Sequence, residues 1–139
     1  MKRTVIDTNV FVSIISSGNK FHAIYRALLE KRFELAVSNE IVLEYEEVIA
    51  YKYGMAATRT FLTILSLLPN VMVVNPSFHW NLITNDADDN KFADCAISAG
   101  VHYLVSDDKH FNVLKEVDFP KVNVISTKAF FLLLEQGKL

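Results

Sequence analysis

The chain has 139 residues, enough for one domain with its own core, and 51% are apolar with few Gly or Pro, which excludes disordered, collagen-like and linker-rich architectures. Sixteen acids against fourteen bases leave a net charge of −2, which excludes a general polybasic nucleic-acid binder. The single cysteine, Cys95, excludes an internal disulfide framework and a cysteine-cluster zinc site, and a cytoplasmic setting is the expectation.

The chain opens with Thr4–Ile6, a short β-branched run that Asp7 ends. Polar residues and that acid interrupt it too early for a signal peptide. Phe21 to Glu30 follows with helical spacing of Phe21, Ile24, Tyr25, Leu28 and Leu29. A second strand is expected at Leu35–Val37, then helices over Ile41–Tyr53 and Met55–Leu68. The apolar run Phe61–Leu68 has eight residues, where a membrane span needs about 20. A third strand at Val71–Val74 leads into the irregular stretch Asn75–Asp88, read as a surface connection or a substrate flap. Asp89–Ala99 reads as a helix, Tyr103–Val105 and Val122–Ile125 as strands, and Thr127–Glu135 as a closing helix. The order β-α-α-β-α-α-β-α-β-α-β-α predicts one domain over residues 1–139, with a central, mainly parallel five-stranded sheet and helices on both faces.

In such a sheet, function gathers where strands end at their C-terminal edge. Asp7 ends the first strand, and Ser106, Asp107 and Asp108 follow the fourth. Taken alone, each acid also suits a helix cap or a turn. On a helical wheel Glu44 lies about 60° from Ile41 and about 40° from Val48, so it borders the apolar stripe of its helix. Asp89 centres on the stripe of Phe92, Ala93, Ala96 and Ala99 and should face the sheet. Asp86 is better placed as a cap, Asp94 reads as a solvated surface acid, and Cys95 as a small core residue. Converging carboxylates cannot all stay ionised without cations, and oxygen-only ligation suits Mg²⁺ or Mn²⁺ over Zn²⁺. His22, His79, His102 and His110 form no local ligand motif and read as surface residues.

Together, Val5-Ile6-Asp7-Thr8-Asn9-Val10, the inward Glu44, Asp86-x-x-Asp89-Asn90-Lys91-Phe92 and Tyr103-Leu104-Val105-Ser106-Asp107-Asp108-Lys109-His110-Phe111 resemble the PIN domain. The likeness is greatest to bacterial PIN proteins described as toxin components of toxin–antitoxin systems. It covers essentially the whole chain and rests on the four pieces in order, not on any one. The resemblance implies a three-layer α/β/α sandwich and a Mg²⁺- or Mn²⁺-dependent endoribonuclease. Carried over by position, the metal-holding catalytic acids are Asp7, Glu44, Asp89 and Asp108, with Asn9 and Ser106 supporting them or positioning substrate. Relatives often have Gly where this chain has Asp107, and Asp108 is the acid assigned to the metal. The resemblance also implies an RNA substrate, a small antitoxin partner and frequently a homodimer.

Lys20, Arg26, Lys109 and His110 are candidate phosphate contacts, being basic residues near the sheet-edge loops. A catalytically silent PIN domain acting as a binding or regulatory module is the alternative. Two phosphoryl-transfer readings of a similar sheet are disfavoured. A haloacid-dehalogenase-type phosphatase needs an Asp where Asn9 stands, and a receiver domain needs one after the third strand, where Asn75 stands. With the four acids assigned to metal, the rest of the chain carries fourteen bases against twelve acids, a mildly basic surround for a polyanion.

Overall fold

The computed structural model describes residues 1–139. Five strands, β1 (Arg3–Ile6), β2 (Glu34–Val37), β3 (Val71–Val73), β4 (Tyr103–Val105) and β5 (Val124–Ile125), form one sheet. All pairings are parallel and the order is β3-β2-β1-β4-β5. Val5, Ile6, Leu35, Ala36, Leu104 and Val105 are all fully buried. Consecutive strand residues face opposite sides of a sheet, so both faces are covered. The covering helices are α1 (Thr8–Ile14), α2 (His22–Leu29), α3 (Asn39–Tyr53), α4 (Met55–Leu67), α5 (Asn90–Ala99) and α6 (Thr127–Glu135). This is the expected α/β/α sandwich.

Local chemistry explains most boundaries. Ser38 starts α3 by accepting the Ile41 N–H at 3.2 Å, and Ser126 starts α6 by accepting the Ala129 N–H at 3.0 Å. Gly54, at φ 89°, turns the chain between α3 and α4 in a conformation that a side chain would strain. Phe11 stacks on Tyr45 with ring centroids 4.5 Å apart and meets Phe61 edge-on at 5.1 Å, which ties α1, α3 and α4 together.

Three elements differ from expectation. The segment between β4 and β5 is 3-10 helical over Lys109–Glu116, and its buried residues Phe111 and Leu114 stand three apart, the spacing of a three-residue turn. Helix α5 starts at Asn90, because Ala87–Asp89 form a separate 3-10 turn capped by Asp86, which accepts the Asp88 N–H at 3.2 Å. Strand β5 begins at Val124 instead of Val122, although the Asn123 carbonyl still accepts the Leu104 N–H at 2.8 Å.

The topology sets the position of the site. The chain moves from β1 outward through β2 to β3, then returns to place β4 on the other side of β1. The C-terminal ends of β1 and β4 therefore flank the switch point, where open α/β sheets bind their ligands. Pairing of Ile6 with Val105 brings Asp7 beside Ser106, and the Asp7 N–H donates to the Val105 carbonyl at 3.0 Å.

Candidate active site

Asp7 follows β1 directly and is only 6% exposed. Ser106 donates its hydroxyl to Asp7 Oδ2 at 2.9 Å, and the same Oγ accepts the Asp108 N–H at 3.0 Å. One serine thus fixes the Asp7 carboxylate and the loop that carries Asp108. Burial pushes the Asp7 carboxyl up to about 6 from 3.8. The Ser106 bond pulls it down, and the charges of Asp89 and Asp108 raise it further.

Asp107 and Asp108 are adjacent but turn to different partners. Asp107 accepts the Thr127 N–H at 2.9 Å and the Thr127 hydroxyl at 2.7 Å, which ties it to the start of α6. Asp108 starts the 3-10 segment by accepting the His110 N–H at 2.9 Å, and its charge acts on both Asp7 and Asp89.

Glu44 approaches from α3. The neighbouring Tyr45 hydroxyl donates to the Ile6 carbonyl at 2.5 Å, which holds α3 against the end of β1. Thr8 donates to Glu44 Oε2. Lys91 places its ammonium 3.4 Å from Glu44 Oε1 and 2.9 Å from Asp88 Oδ1. The carboxyls of Asp88 and the amine of Lys91 shift apart accordingly: hydrogen bonding to Lys91 lowers Asp88, and its acidic partners outweigh burial to raise Lys91.

Asp89 comes from the turn before α5. Burial raises its carboxyl, with the charges of Asp86 and Asp108 adding to the rise and His110 opposing it. Its Oδ2 lies 3.5 Å from His110 Nδ1, and both atoms are buried without a hydrogen-bond partner. One ligand atom each from Asp86, Asp89 and His110 lie within 4.8 Å of one another. An unsatisfied carboxylate oxygen among mutually repelling acids is the environment a divalent cation stabilises. The donor set, two carboxylates and an imidazole, suits a divalent cation.

The remaining sequence-derived candidates fall into three groups. Asn9 is exposed and lines the same pocket as Asp7 and Asp108 but bonds to neither acid. Lys20, Arg26 and Lys109 are exposed, and no ion pair joins them to these acids. Asp94 is a correction. It is 3% exposed instead of solvated, because the irregular segment folds over its face of α5 and supplies the Trp80 N–H at 3.1 Å and His79 Nδ1 at 3.3 Å. His110 is a second correction, since it turns inward to the acids. Thr8, Lys91 and the ligand-like placement of Asp86 were missed by sequence reasoning. For Thr8 the signal was present, as a hydroxyl directly after the strand-ending acid. Lys91 carried none, because its partner lies on another helix.

The PIN domain family model matches residues 3–110, a span that holds every acid of the cluster and ends at His110. An uncharacterized protein of Methanocaldococcus jannaschii, MJ1680, is 28% identical over 134 residues, covering 91% of this chain and 84% of that protein. The crystal structure of Mycobacterium tuberculosis VapC20, described as a Sarcin-Ricin loop cleaving toxin, matches with a TM-score of 0.58 at 16% identity. The match covers 78% of this chain and 92% of that one. At that identity the likeness is one of fold.

Proposed function

The chain belongs to the PIN-domain family, and on that premise we propose that it is a metal-dependent endoribonuclease, the toxin of a toxin–antitoxin pair. One observation carries the reading: Asp7, Asp89 and Asp108 crowd one another at the sheet's switch point, and the Asp89 Oδ2 makes no hydrogen bond. Asp7, Glu44, Asp89 and Asp108 would hold one or two Mg²⁺ or Mn²⁺ ions. Such an ion makes a bound water more acidic and offsets charge on the leaving oxygen of a phosphodiester.

The chain's own groups do the rest. Ser106 keeps Asp7 in one orientation and sets the Asp108 loop by its second bond. Thr8 fixes Glu44, and Lys91 limits the negative charge on the α3 side of the site. Asn9, exposed at the pocket mouth, is available to position substrate. The unit extends over residues 1–139 as one domain. Its partners are an RNA substrate, a small antitoxin protein and a second copy of the chain, and its setting is cytoplasmic. No helix is long and apolar enough to cross a membrane.

One observation favours the alternative of a silent binding or regulatory module. The Lys91 ammonium already supplies a positive charge at Glu44. The two readings separate experimentally. Calorimetry with Mn²⁺ should show binding, and the native chain should cleave RNA in Mg²⁺ or Mn²⁺, with cleavage lost in Asp7→Asn and Asp89→Asn. Metal binding with no cleavage of RNA or single-stranded DNA would identify the module, and unchanged cleavage in both variants would sink the site assignment.

A further inference from the structure

The reading above leaves one side chain at the acids without a role. His110 stands two residues beyond Asp108, and its Nδ1 lies 3.4 Å from Asp108 Oδ1 and 3.5 Å from Asp89 Oδ2. An ionised donor and acceptor close to about 2.7–2.9 Å, so neither contact is a made hydrogen bond. Nδ1 and Asp89 Oδ2 are nonetheless both buried, each without a hydrogen-bond partner. Buried polar atoms left in this way cost free energy until something meets them.

Both atoms are held in place. Asp108 Oδ1 accepts the His110 N–H at 2.9 Å, and Ser106 Oγ accepts the Asp108 N–H at 3.0 Å. The turn that carries the imidazole is thus fixed to the end of β4. The next residue, Phe111, is fully buried and meets Phe92 edge-on at 6.2 Å and 73°. Phe92 stands three residues beyond Asp89. This ring pair locks the segment carrying His110 against the one carrying Asp89, and so sets the spacing of Nδ1 and Oδ2.

That spacing fits a shared cation. Two donors at about 2.1 Å from one ion stand about 3–4 Å apart, depending on the angle between them. An oxygen of Asp86 completes a group of three ligand atoms within 4.8 Å of one another. The imidazole also changes which ion is favoured. Mg²⁺ takes oxygen donors, whereas first-row transition ions accept nitrogen, and Mn²⁺ is the weakest binder of that series.

We propose that His110 Nδ1 is a metal ligand, binding the same cation as Asp89 Oδ2, and that it makes the site prefer a first-row transition ion over Mg²⁺. This rests on the metal-dependent reading above and adds to its acids a donor that tells one ion from another. The competing explanation is a protonated His110 that only offsets the acids' charge. The two roles have opposite signs, because a fixed positive charge repels a cation and a ligand holds it.

Mn²⁺ and Mg²⁺ serve as the probes. Calorimetry on the native chain should show Mn²⁺ bound more tightly than Mg²⁺. His110→Gln should weaken Mn²⁺ about tenfold or more and change Mg²⁺ by less than about threefold. His110→Asp returns an oxygen donor and should bind both ions with the Mn²⁺ preference reduced. Pulsed EPR of the Mn²⁺-loaded native chain, which needs no variant to fold, should show nitrogen coupling from a coordinated imidazole, and the coupling should vanish in His110→Gln. Tighter binding of both ions by His110→Gln identifies the charge-offsetting role, and equal weakening of both a structural one. Either result overturns the proposal, as does a native Mn²⁺ spectrum without nitrogen coupling. Asp89-dependent RNA cleavage, with the Mn²⁺-to-Mg²⁺ affinity ratio unmoved in His110→Gln, defeats the ligand assignment alone. Nitrogen coupling that depends on His110, in a chain that cleaves no RNA, upholds the assignment and defeats the nuclease reading. A chain that binds neither ion defeats both.

Discussion

The two acids of the α5 region, Asp89 at its start and Asp94 at its middle, are five residues apart and are held in opposite ways. Asp94 is almost fully buried, and the Trp80 N–H and His79 meet its oxygens. Asp89 is less buried, yet its Oδ2 makes no hydrogen bond, and the charges of Asp86 and Asp108 act on it against that of His110, whose Nδ1 lies 3.5 Å away. Burial alone therefore does not mark a functional carboxylate. The distinguishing feature is burial without compensation: Asp94 stabilises the fold, while Asp89 is tolerated by it.

The largest test of that contrast is Asp89→Asn. The variant removes one carboxylate from the proposed metal-holding set and should lower RNA cleavage roughly 100-fold or more. Thermal unfolding of the metal-free variant should show stability held or raised, because the ionised Asp89 is disfavoured in the fold. A variant that loses stability and activity together would erase the distinction from Asp94.

Asp7 extends the contrast to pH. Its carboxyl rises from 3.8 to about 6 on folding, so between those values the folded state binds more protons than the unfolded chain. Its contribution thus favours the fold at pH 4 and is withdrawn as pH rises toward 6, by up to about 3 kcal/mol. Urea unfolding of metal-free protein across this range should show the decline, and Asp7→Asn should flatten it.

Asp94→Ala leaves the Trp80 N–H without its acceptor and should cost about 2 kcal/mol, read as a lower urea midpoint at unchanged slope. The smallest effect is expected from Asp107→Ala. Its two bonds to Thr127 are worth about 1 kcal/mol of stability, and cleavage should persist, unlike in Asp108→Ala. Equal loss of cleavage in the two variants would show that the adjacent acids share the work.

Much of the fold was legible because strand burial and helical spacing are written locally. The runs at Thr4–Ile6, Leu35–Val37 and Tyr103–Val105 fall within β1, β2 and β4. Asp7 and Asp108 were legible for the same reason, since a carboxylate close after a buried strand needs no long-range information to be noticed, and Glu44 and Asp89 from their place on a helical wheel. Asp94 was misread because a helical wheel sees only its own helix, and the segment that buries it lies fourteen and fifteen residues earlier. His110 was misread because its partner Asp89 comes from another loop.

The sequence by itself determined the alternation of strands and helices and the supply of acids at strand ends, since both depend on neighbours within a few residues. Only the tertiary structure decided which acids are compensated. Asp107 is satisfied by α6, Asp94 by the covering segment and Glu44 by Thr8 and Lys91, whereas Asp89 keeps an oxygen that makes no hydrogen bond, with His110 Nδ1 3.5 Å away. The cost of a buried charge depends on every group around it, and those groups meet only when the sheet brings the ends of β1 and β4 side by side.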